Sequence, residues 1–140
     1  MSIPILTYHQ IDAVPPHGTP FRGLSVGPAQ FRQQLARIRR LGYRGLSMRE
    51  LMPYIRCTAT GNVFGIAFDD GFHNVHRHAL PVLAEVGFSA TNYFGSGQID
   101  SSNIWDASHG VPPAPLMNAA QKGVIVLLPQ IDTVRLKKTF

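Results

Sequence analysis

The sequence predicts an α/β fold with parallel strands, and three observations carry that expectation. Residues 3–8, 63–68 and 89–94 are short apolar or β-prone runs of strand length. The segments between them carry helical spacing or helix-capping residues, and glycines or prolines punctuate the changes. Strands alternating with helices in this way build parallel sheets.

Each element has its own local reason. Residues 3–8 read as a buried strand feeding a Pro/Gly-rich loop. Gly27-Pro28 then offers an N-cap and a first-turn proline, and Phe31, Leu35, Ile38 and Leu41 come next on one helical face until Gly42. The opposite face carries Arg32, Arg37, Arg39 and Arg40, as a solvated surface would. Ser47-Met-Arg-Glu50 is a capping box that opens a second short helix reaching about Arg56. Residues 57–62 make a turn, and Val63–Phe68 is a continuous apolar run, read as a buried strand ending at Asp69-Asp70-Gly71. A helical segment continues to Glu85, with Pro81 at the first turn of its second piece and Gly87 as the stop. Residues 89–94 form the next strand, before a Gly/Ser/Asp loop and Pro112-Pro113-Ala114-Pro115.

The chain has 140 residues, 44% hydrophobic and 15% charged, which suits a single globular domain. No apolar stretch reaches membrane-spanning length. The opening residues lack the basic start and apolar core of a signal peptide, so the chain as written is expected in the cytoplasm. Cys57 is the single cysteine, which excludes an internal disulfide. The net charge of +5 is uneven: residues 1–121 hold nine basic and seven acidic residues, and residues 122–140 hold four basic and one acidic. With Phe140 the one aromatic in that basic end, nucleic-acid binding is not expected.

All nine basic residues before position 122 are arginine, whereas three of the four after it are lysine. The break divides the chain into residues 1–121 and an atypical tail, 122–140, that a shifted reading frame would produce. Within the tail, residues 124–128 could add a buried-type strand.

The chemistry is concentrated at the end of the 63–68 run. Two adjacent carboxylates, Asp69 and Asp70, leave the carboxyl end of a buried strand, where α/β folds place their sites. Neighbouring residues leaving a strand point in different directions, so one acid can bind a metal while the other stays available as a base. Gly71 permits a sharp turn and the close approach of a ligand.

Ala67-Phe68-Asp69-Asp70-Gly71-Phe72 resembles the first motif of the polysaccharide deacetylases, the NodB-homology or carbohydrate esterase 4 group, which usually has threonine or serine at the Ala67 position. Ile5-Leu6-Thr7-Tyr8-His9 is similar to that family's opening strand. Phe31, Leu35, Gly42-Tyr43, Leu46-Ser47 and Glu50-Leu51 resemble its first helix and the segment after it. Ala79-Leu80-Pro81-Val82-Leu83, Gly87, Ala90-Thr91 and Phe94 resemble its next helix and strand. The resemblance covers about residues 3–120 and implies the N-terminal half of a distorted (β/α) barrel. It further implies metal-dependent hydrolysis of the acetamide of N-acetylated polysaccharides or oligosaccharides. On this pattern Asp69 is the general base, Asp70 a ligand of a divalent metal with zinc first among candidates, and His9 a residue lining the site beside Gly71. Such a metal polarises the carbonyl and acidifies bound water.

The family completes its metal site with His-Ser/Thr-x-x-His, and no two histidines of this chain stand four apart. After Ala119-Ala120-Gln121 the sequence reads Lys-Gly-Val-Ile-Val-Leu-Leu-Pro instead. His73 and His76 share a helical face near the acid pair, and His109 lies in a loop, but solvated positions suit all three better than ligation. The expectation is therefore an incompletely liganded, truncated hydrolase without activity of its own. The competing reading is a carbohydrate-binding or interaction module that keeps the cleft, with Tyr8, Phe72, Tyr93 and Trp105 as candidate stacking residues.

Overall fold

The computed structural model describes residues 2–95, 97 and 99–121, together with the backbone of Ile131–Leu136. Its strands are β1 (Ile5–Tyr8), β2 (Gln10–Ile11), β3 (Ser25–Val26), β4 (Arg44–Leu46), β5 (Val63–Phe68), β6 (Ala90–Gly95) and β7 (Ile131–Leu136). Its α-helices are α1 (Pro28–Arg40), α2 (Met48–Ile55) and α3 (Leu80–Val86). The main sheet runs β1-β5-β6-β7, with β4 also on β5, and every pairing in it is parallel.

The all-apolar β5 is buried along its whole length, as a strand covered on both faces must be. Phe64, Ile66 and Phe68 enter the large core with Phe31 and Leu35 of α1 and Val82 and Leu83 of α3. Val63 turns the other way, into a smaller cluster with Leu46 and Leu51 of α2. β4 takes one edge of β5 over Val63–Gly65, and β6 takes over that edge at Ala67 and Phe68. The handover is held by Thr91, whose hydroxyl accepts from the Met48 amide at 2.8 Å, and by Ser89, whose hydroxyl accepts from the Ser47 amide at 2.9 Å.

The helix signals translate closely. Gly27 and Pro28 open α1, and both bonds of the Ser47–Glu50 capping box are present at the start of α2. Pro81 stands in the first turn of α3, and Gly87 closes it with φ +68. Between the acid pair and α3 the helix widens into a π-helix over Val75–Ala79.

Three expectations need correction. β1 is not a buried strand: Tyr8 is buried but Ile5 is 46% exposed and Thr7 is exposed, because β5 is its one strand neighbour among the described residues. Leu41 does not extend the apolar face of α1; it caps the helix and is 68% exposed. The 95–115 region is not wholly loop, since Ile104–His109 winds into 3-10 helix. The strand expected at residues 124–128 lies outside the described residues; the tail's described strand is β7, paired with β6.

Candidate active site

The acid pair sits where the sheet fixes the backbone most firmly. The β1–β5 ladder extends one residue past β5, the Asp69 amide donating to the Tyr8 carbonyl at 2.9 Å. The chain then turns through two left-handed residues, Asp70 at φ +71 and Gly71 at φ +73. Left-handed backbone is routine for glycine and tolerable for aspartate, whose short side chain can bond locally. The turn is tied from outside: Met117 donates its amide to the Gly71 carbonyl at 2.9 Å, and His73 donates to the Pro115 carbonyl at 3.0 Å.

At the carboxyl ends of β1, β5 and β6 lies a cleft of about 360 Å³ lined by His9, Asp69, Asp70, Tyr93, Phe94 and Trp105. His9 Nε2 stands 3.9 Å from Asp69 Oδ2, an ion pair whenever the imidazole is protonated. Burial and the Asp69 carboxylate hold the Tyr93 hydroxyl above its ordinary 10.0. Asp70 also borders a neighbouring groove of about 220 Å³, which Asp69 does not line, so the two acids do face different spaces. Gly71 is buried behind the turn, against Phe94.

Thus His9, Asp69 and Asp70 come together in one cleft, and Gly71 shapes the turn rather than the wall. Of the four candidate stacking residues, Tyr93 and Trp105 line the cleft, whereas Tyr8 and Phe72 belong to the core. His73 and His76 do share a face, their rings stacked 6.3 Å apart. Burial and His73 lower the proton affinity of His76. His109 closes the 3-10 turn and meets Phe21 edge-on at 5.4 Å. Phe21 and the Pro115–Met117 segment were not legible as site features, since nothing local in the sequence marks which distant loop meets the acid turn.

Among the described residues no three His, Cys, Asp or Glu side chains gather so as to hold a metal. Those residues alone therefore do not fit a three-ligand centre. Nor, among them, is any helix long and apolar enough to cross a membrane.

Solved structures resembling this one are polysaccharide deacetylases and their relatives. IcaB from Ammonifex degensii superposes with a TM-score of 0.75 at 23% identity, over 95% of this chain and 52% of its own. The Streptococcus pyogenes deacetylase PplD, solved with acetate, gives 0.69 at 27% identity, over 98% of this chain and 56% of its own. A polysaccharide deacetylase from Bacillus cereus gives 0.69 at 22% identity, over 95% and 38%. No protein-family model and no curated protein matches the chain. The fold is that of the polysaccharide deacetylases, the NodB-type fold the motifs resemble. The chain spans about half the length of IcaB and PplD.

Proposed function

We propose that this chain carries the acid–base half of a hydrolase that removes acetyl groups from N-acetylated polysaccharides or oligosaccharides. The observation that carries the reading is the convergence of His9, Asp69 and Asp70 in one cleft at the strands' carboxyl ends, on a deacetylase fold. Asp69 is the base: its carboxylate takes a proton from a water whose oxygen adds to the acetamide carbonyl carbon. The carbon–nitrogen bond then breaks, releasing acetate and leaving the sugar nitrogen as an amine once it takes up the proton. His9, 3.9 Å from Asp69, orients that carboxylate and lines the site. Asp70 is the ligand this chain would offer a divalent ion, zinc first, with the remaining ligands supplied from outside the described residues. The described donors do not by themselves complete a site for that ion.

The incomplete donor set favours one alternative, a module that binds N-acetylated sugar in this cleft without turning it over. Acetate release from an N-acetylchitooligosaccharide in the presence of zinc decides between them. Turnover lost in Asp69→Asn supports the hydrolase; saturable sugar binding with no acetate released supports the module. Neither turnover nor binding rejects both.

A further inference from the structure

We propose that the groove beside the cleft is a second sugar subsite, with Phe21 as its stacking platform; this rests on reading the cleft as an N-acetylated sugar site. The groove, of about 220 Å³, shares His9 and Asp70 with the cleft, so a ring seated in it adjoins the reacting one. Its volume lies below the ~300–1,000 Å³ of a pocket for a drug-sized ligand, and suits a single ring.

Phe21 has two features that core packing does not explain. It is 48% exposed at the groove wall. It also holds a left-handed backbone, φ 56, which is an outlier for a bulky residue and persists only when its surroundings impose it. His109, from the far side of the groove, meets the Phe21 ring at 72° and sets its orientation. An aromatic face presented this way suits the apolar C–H face of a pyranose. Asp12 and Asp106 stand on the opposing walls. Ionised carboxylates are pure acceptors, matched to sugar hydroxyl donors. A flat apolar platform between carboxylate acceptors is the chemistry of a neutral or amine-bearing sugar, and would repel an acidic one.

The test compares N-acetylglucosamine with tetra-N-acetylchitotetraose, titrated by calorimetry into the 140-residue chain and its variants. The tetramer should bind about tenfold more tightly than the monosaccharide. Phe21→Ala should cancel that gain without weakening the monosaccharide, and Phe21→Trp should keep it. A gain that survives Phe21→Ala overturns the subsite and leaves the cleft reading intact. Absence of binding by either sugar to the wild type overturns both. Should Phe21→Ala fail to fold, wild-type amide shifts decide. The tetramer alone must move the Phe21 and Asp12 signals, and silence there rejects the proposal.

Discussion

Gly71 lies against Phe94 so closely that a Cβ added to it would stand 2.8 Å from the Phe94 Cβ. With φ at +73, the position is closed to other residues twice over, by backbone conformation and by contact. Strand β6 thereby fixes the turn on which Asp69 and Asp70 are mounted.

Gly71→Ala should accordingly destabilise the protein by about 2–4 kcal/mol, the left-handed cost plus overpacking. Gly87 has φ +68 and nothing within 4 Å of an added Cβ, so Gly87→Ala should lose only about 1–2 kcal/mol. Urea unfolding of the two variants separates the terms. Equal losses would mean that the Phe94 contact yields freely.

Asn92 is wholly buried on β6, and neither its amide nitrogen nor its oxygen has a hydrogen-bond partner among the described residues. It pairs in register with Phe68, whose side chain enters the large core. An unsatisfied buried polar group costs about 1–3 kcal/mol. Asn92→Leu, similar in shape, should raise the unfolding midpoint in urea. A drop instead would reveal a partner that the amide uses in solution.

Tyr8 and Tyr93 both have hydroxyl pKa values raised by burial, and Tyr93 by Asp69 as well. The fold therefore favours their neutral forms. The stability they contribute is fully present below about pH 10, the unfolded value, and is lost as pH rises through the higher native values. Removing the neighbouring charge in Asp69→Asn should move the Tyr93 titration down and leave that of Tyr8 in place. Ultraviolet titration of the phenolates checks this; an unmoved Tyr93 would separate its hydroxyl from Asp69.

The outer edge of β1 is apolar and uncharged over Ile5–Tyr8, and carries no strand among the described residues. Such an edge invites pairing with another chain. Ile5→Lys should reduce self-association in dynamic light scattering while leaving the thermal midpoint in place. Unchanged particle size would show the edge to be protected.

Much of the fold was legible because its signals are short-range. Gly27-Pro28, the Ser47–Glu50 capping box and Gly87 each act within one helical turn, and each marks the element boundary it was read to mark. The apolar run of β5 needed two covered faces, and has them. Strand β4 went unread because Arg44–Leu46 has three residues, too few to show a period.

The order of strands and helices, the acid pair at a strand's end and the resemblance to the deacetylases could all be read along the chain, because caps, periodicity and motif spacing are properties of neighbouring residues. Three-dimensional packing was needed to bring His9 to Asp69, to join Phe21 and His109 from distant loops, and to leave β1 at an edge with Ile5 in solvent. Those outcomes depend on which distant backbone pairs with which, and on the side chains that such pairing happens to cover.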